Sequence, residues 1–157
     1  MIPSPRMNDA DQGTIEGFVR GTLGCRCPDE VFHSISIARL PALATRPPVL
    51  QLLVGSRLLI HIVTLPARAV VNGWLEQLAA QGRATRDRHG YNRFRLVIAT
   101  SAAAPLRGDL EARFARATGN DQRAHLHLIG SDRLPPALVP ADADAQALVV
   151  PDRTVAK

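Results

Sequence analysis

Cys25 and Cys27 are the only cysteines in this 157-residue chain, and they stand one residue apart in the run Cys25-Arg26-Cys27-Pro28. Thiols this close can share a metal ion or form a tight disulfide, and strained disulfides are the labile ones. Their reactivity depends on which helix they belong to. At the tail of a preceding helix they would meet its negative end, which disfavours thiolate. At the head of a helix starting at Pro28 they would meet a positive end, reinforced by Arg26. The order Cys27-Pro28-Asp29-Glu30 is a helix-start pattern and predicts the second geometry, with Cys27 at the cap. A thiol site would then consist of Cys25, Cys27 and Arg26. A metal site would draw on Cys25, Cys27 and His33, since imidazole is the usual supplement to thiolate for zinc. The plain alternative is a pair of small buried hydrophobes.

A second constellation is basic. Arg83, Arg86, Arg88, Arg93 and Arg95 cluster with His89 and Tyr91. On a helix-to-strand connection, with Arg93 and Arg95 on one strand face, Arg86, Arg88, Arg93 and Arg95 would hold a phosphate or a nucleic-acid backbone. Only Tyr91 offers an exposed ring there, whereas single-strand binders present several stacking platforms. A solvated basic face is therefore the plainer expectation. His125 and His127 share one face of a strand and are expected on its solvent side, while His61, set among aliphatic residues, is expected in the core or at its edge. Phosphate-binding glycine loops and a G-x-S-x-G turn are both missing from the sequence. Thr100 and Ser101 end an expected parallel strand, where open α/β sheets place ligands.

The net charge of +5 permits attraction to nucleic acid, anionic ligands or an acidic protein, although all but one of the 19 basic residues are arginine in an alanine-rich chain, which suits a compositional origin equally well. With 46% hydrophobic residues the chain can bury a core without disulfide staples. No apolar run long enough to span a membrane occurs, and Met1 to Arg6 lack the apolar segment of a secretory leader. The expectation is a cytoplasmic protein with reduced thiols and no membrane partner. A redox partner protein follows from the thiol reading, and nucleic acid or an acidic protein from the arginine reading. Which cofactor, if any, the chain uses and whether it is an enzyme both stay open.

The elements that must position these residues follow from periodicity. Residues 1–13 read as a mobile lead-in, 14–130 as a single α/β domain, and 131–157 as a Pro-rich extended tail that lays Val149 and Val150 on the body. A helix capped by Thr14, with Ile15, Phe18, Val19 and Leu23 on one stripe, should end at Gly24. Ser34 to Ala38 alternates as a half-buried strand. Val49 to Val54 and Leu58 to Val63 read as a hairpin joined by Gly55-Ser56-Arg57. Ala67, Val70, Val71, Trp74, Leu75 and Leu78 predict a helix after Pro66, stopped by Gly82, with Trp74 buried against the sheet. A strand at Phe94–Ala99, a helix over Pro105–Ala117 and a strand at Ala124–Ile129 complete a β-α-β-α-β portion. The expected fold is a mixed sheet in which an antiparallel hairpin precedes parallel strands.

The segment Phe18-Val19-Arg20-Gly21-Thr22-Leu23-Gly24-Cys25-Arg26-Cys27-Pro28-Asp29-Glu30-Val31-Phe32 resembles the signature of a small uncharacterised prokaryotic family, and Tyr91 to Arg95 is similar to it too. The resemblance covers a small part of the chain and implies no function or residue role.

Overall fold

Five strands form one sheet in sequence order: β1 (Ile35–Leu40), β2 (Val49–Val54), β3 (Leu58–Leu65), β4 (Arg93–Thr100) and β5 (Ala124–Ile129). They belong to a computed structural model that describes residues 9–66 and 71–140. The first three strands pair antiparallel and the last three parallel, so the expected mixed α/β sheet is the one present. Gly55 and Ser56, at φ of 64° and 54°, supply the left-handed pair that a tight hairpin turn requires. Gly55 is doubly constrained, because a side chain there would run into Val31.

Two helices cover one face of the sheet: α2 (Trp74–His89) and α3 (Ala103–Thr118). Trp74, Leu75, Leu78, Leu110 and Phe114 pack there against Leu59, Val63, Phe94, Leu96 and Ile98. Trp74 is 5% exposed, as its helical stripe predicts. On the opposite face lies α1 (Asp9–Gly17), which continues as a π-helical turn over Phe18–Thr22. Ile15, Phe18, Val19 and Leu23 meet Leu50, Leu52, Ile60, Ile62, Val97 and Ala99. β3 is buried on both faces, and its near-continuous aliphatic run is what a central strand needs.

Several boundaries differ from expectation. The first helix begins at Asp9 instead of at a Thr14 cap, so residues 9–13 are helical. After Pro28 only a five-residue 3-10 helix forms, Asp29–His33, with Pro28 itself at the cap and Cys27 outside it. β1 is exposed on both faces over most of its length, because as an edge strand it reaches past the covering helices. α2 runs through Gly82 to a stop at Gly90; residues 67–70, where the expected helix began, lie outside the described region. Residues 131–140 are no free extension: two 3-10 turns, Ser131–Arg133 and Pro136–Leu138, sink Leu134 and Leu138 into the α1-side core. Val149 and Val150 fall outside the described residues.

Candidate functional site

The first helix ends where the site begins. Cys25 N–H donates to the Val19 carbonyl at 3.0 Å and Leu23 N–H to the Phe18 carbonyl at 3.1 Å, while Gly24 turns the chain at φ 74°. These bonds are wider than those of an α-helix, as the π turn dictates, and the left-handed Gly24 ends the helix and fixes the residue after it. Cys25 is therefore anchored to the helix tail, the reverse of the geometry that the Pro28 pattern suggested. The loop then brings Cys27 back to Cys25, and the two are joined by a disulfide with their Cα atoms 5.4 Å apart. Both are half-buried against the core.

Arg20 clamps this loop at both ends. Its guanidinium donates to Glu16 at 3.0 Å and to Asp29 at 2.6 Å, and its Cζ sits 4.8 Å from the centre of the Phe32 ring. From the other side Gln12 Nε2 donates to the Phe32 carbonyl at 2.7 Å.

The loop overhangs the N-terminal ends of β3 and β4. On β4, Val97 and Ala99 continue the apolar face toward α1, but Arg95 and Arg93 occupy the same face nearer the strand start. Polar side chains replace the core there, and a cavity of about 520 Å³ results. Cys25, Arg26, Cys27, Arg57, Arg93 and Arg95 line it, together with Asn92, His125 and the apolar Val31, Val54 and Leu58. Among the described residues, no carboxylate lines it. The two constellations that the sequence offers separately thus meet at one place.

The arginines are held by uncharged acceptors. Arg93 Nη1 donates to the Gln122 carbonyl and to His125 Nε2, each at 3.1 Å. Arg95 Nη1 donates to the Leu23 carbonyl at 3.3 Å and to His127 Nε2 at 2.8 Å. An accepting Nε2 requires the neutral imidazole with its proton on Nδ1. Burial, then the Arg95 charge, holds His127 down to about 4, and burial with Arg95 and Arg93 lowers His125. Both rings are therefore uncharged at neutral pH. Arg95 also covers an orphan carbonyl of the helix end, offsetting the negative pole that faces Cys25. Its Nε is buried with no partner among the described residues, and burial followed by the nearby Arg93 charge lowers its pKa.

The rest of the expected basic cluster goes elsewhere. Arg83, Arg86 and Arg88 lie on α2 instead of a connection. Arg86 is 2% exposed and paired with Asp121 at 2.7 Å and Asp87 at 2.9 Å, so it faces no ligand. Arg88 is exposed and apart from the cavity. His125 and His127, expected on a solvent face, are half-buried beneath arginines. His33 is exposed at the end of its 3-10 helix. Among the described residues, no group of three or more His, Cys, Asp or Glu stands close enough to hold a metal. Thr100 is buried, its hydroxyl accepting from Ala102 N–H at 3.2 Å, and the cavity opens at the opposite end of the parallel strands.

Arg57 and Asn92 were not anticipated at the site, and His125 was expected on a solvent face. The parallel register that pairs Leu58 with Arg93 and Arg95 with His125 puts them there. The turn at 55–57 and the strand starting near residue 93 were both readable; the missing information was their alignment.

His61 is a core histidine, 4% exposed, with Nε2 3.1 Å from Gln51 Oε1 and its ring edge-on to Phe94. No helix among the described residues is long and apolar enough to cross a membrane. No protein-family model matches the chain, and no curated protein or solved structure matches it significantly.

Proposed function

We propose that the chain is a small cytoplasmic dithiol protein whose Cys25–Cys27 pair performs thiol-disulfide exchange with a redox partner. The observation that carries this reading is the position of the bridge on the wall of a cavity lined by Arg26, Arg57, Arg93 and Arg95 and, among the described residues, by no carboxylate. A cationic surround favours thiolate over thiol, and the thiolate is both the attacking and the leaving species in exchange. A structural role accounts less well for the bridge. It joins residues two apart, and the chain-entropy relation gives so short a ring less than about 2 kcal/mol, against about 3 for a fifteen-residue loop. The two cysteines sit only half-buried at the margin of the α1-side core. In a reducing compartment disulfides are usually transient and catalytic.

The test is to equilibrate the folded protein in thiol-disulfide buffers and trap the free thiols with a maleimide. The expected result is a reversible two-electron transition, lost in Cys25→Ser. Reduced protein should also alkylate with iodoacetamide at pH 7 faster than a synthetic peptide of residues 23–30, and added salt should narrow that difference. A bridge that cannot be reduced without unfolding the chain would sink the proposal.

A further inference from the structure

The cavity beside the bridge holds more positive charge than thiol exchange needs. Several guanidinium groups elsewhere are neutralised, Arg83 and Arg86 by Asp121, Arg113 by Glu76, Arg20 by Glu16 and Asp29, while others such as Arg39 and Arg46 meet only carbonyls among the described residues; the cavity differs in gathering four arginines on one lining. Arg26, Arg57, Arg93 and Arg95 have no ion-pair partner among the described residues. Arg93 and Arg95 are nevertheless fixed in place, through carbonyls and neutral imidazoles that orient a guanidinium without cancelling its charge. Like charges held together repel, most of all at the half-buried Arg95, and Arg95 keeps a buried Nε donor unused among the described residues. An anion in the cavity relieves both costs, and planar oxyanions match the guanidinium fork.

Size and surface narrow the anion. About 520 Å³ falls in the range of small-molecule sites, and among the described residues no Phe, Tyr or Trp lines the cavity to stack a base, its one ring, His125, being tied to Arg93. The bridge on the same wall requires that the ligand carry sulfur. Resting on the exchange reading, we infer that the cavity seats a small acidic thiol, its carboxylate held by Arg57, Arg93 and Arg95 while its sulfur meets the Cys25–Cys27 bond.

The exchange balances as follows. One substrate thiolate attacks a bridge sulfur; the Cys25–Cys27 bond breaks, its electron pair leaves on the other cysteine, and a mixed disulfide forms. A second substrate thiolate attacks the substrate sulfur of that mixed disulfide, freeing the first cysteine and releasing the substrate disulfide. Two substrate thiols lose two electrons, the bridge gains them, and the two protons end on Cys25 and Cys27.

The experiment measures the rate of bridge reduction in the folded protein by mercaptosuccinate, 2-mercaptoethanol and cysteamine, each normalised to thiolate concentration. Mercaptosuccinate should react about tenfold or more faster than 2-mercaptoethanol, and cysteamine slowest, an order set by electrostatic enrichment. The preference should shrink severalfold in Arg57→Gln, whose side chain is exposed and unpaired, and vanish in Arg57→Gln with Arg93→Gln. Succinate should bind Cys25→Ser/Cys27→Ser protein by calorimetry, and the two arginine substitutions should abolish that binding. Equal rates for the three reagents, with exchange intact, would overturn the acidic-substrate assignment and leave the exchange reading standing. A bridge inert to all three, in protein that still binds succinate, would overturn exchange itself. Tight, steeply salt-dependent binding of a single-stranded oligonucleotide, abolished by Arg93→Gln with Arg95→Gln, would reassign the cavity to nucleic acid.

Discussion

Arg86 is a charge buried on an apolar helix face, and its cost is met by two carboxylates. Asp121 accepts from Arg86 Nη2 at 2.7 Å and from Arg83 Nε at 3.0 Å, and Asp87 accepts from Arg86 Nε at 3.0 Å. The Arg86 guanidinium holds the Asp121 carboxyl well below the usual carboxylate range. Breaking a buried pair strands the remaining charge, so Asp121→Ala should cost about 3 kcal/mol or more in urea unfolding. A loss under about 1 kcal/mol would mean that the half-exposed Asp87 alone compensates Arg86. Residue type alone could not reveal this pair: Asp121 lies 35 positions along the chain from Arg86. A change of element, not distance in sequence, divides the arginine cluster. Arg83, Arg86 and Arg88 follow helical spacing on α2, whereas Arg93 and Arg95 alternate on β4 and reach the cysteine loop. Cys25 and Cys27 were visible as candidates because rare residue types need no alignment to be noticed. Their electrostatic setting was not, because the Arg95 guanidinium that caps the helix tail comes from a strand 72 residues away from Leu23.

Elements were legible where one period ran uninterrupted and misread where a residue has two uses. Gly82 in α2 looks like a stop, since glycine commonly ends helices. Its actual use is steric, because the Phe94 ring of β4 occupies the space that a side chain at Gly82 would fill. Helix and sheet approach closely there, and the stripe Trp74, Leu75, Leu78, Ala79 and Gly82 is continuous. Gly82→Ala would gain about 1 kcal/mol in helix propensity but force the ring aside, and overpacking of this kind typically costs about 1–3 kcal/mol. The expected outcome is net destabilisation, partly relieved when Phe94→Leu is added; a stabilised single variant would show that the ring moves freely. Pro28 was ambiguous in the same way. Pro-Asp-Glu can begin a long helix, but Val31 and Phe32 are drawn into the α1-side core and Ser34 N–H bonds back to the Val31 carbonyl at 3.4 Å, closing the element after five residues.

At the scale of the whole molecule, the sheet separates two cores, and titratable groups are sealed at their margins in defined charge states. His61, on the α2 side, is pressed down to about 4, first by burial and then by the Arg46 charge. His127, beneath Arg95 at the cavity, is also held to about 4. In the unfolded chain both would titrate near the ordinary value of about 6.5. Between these values the unfolded state binds more protons than the native state, so stability rises with pH across that window and falls as pH drops through it. The contribution is complete above about 6.5 and lost by about 4; for His61 alone it is on the order of 3 kcal/mol. Asp121 and Glu76 act in the same direction at lower pH, because their arginine partners lower their carboxyl pKa values and protonation forfeits those pairs. Urea unfolding at pH 7.0, 5.5 and 4.5 should therefore give a steadily falling stability. His61→Gln, which keeps a polar group beside Gln51 and removes the titration, should flatten that slope, whatever it costs at pH 7. An unchanged slope in the variant would mean that His61 is protonated in the folded core and that the unpaired Nδ1 has found an acceptor.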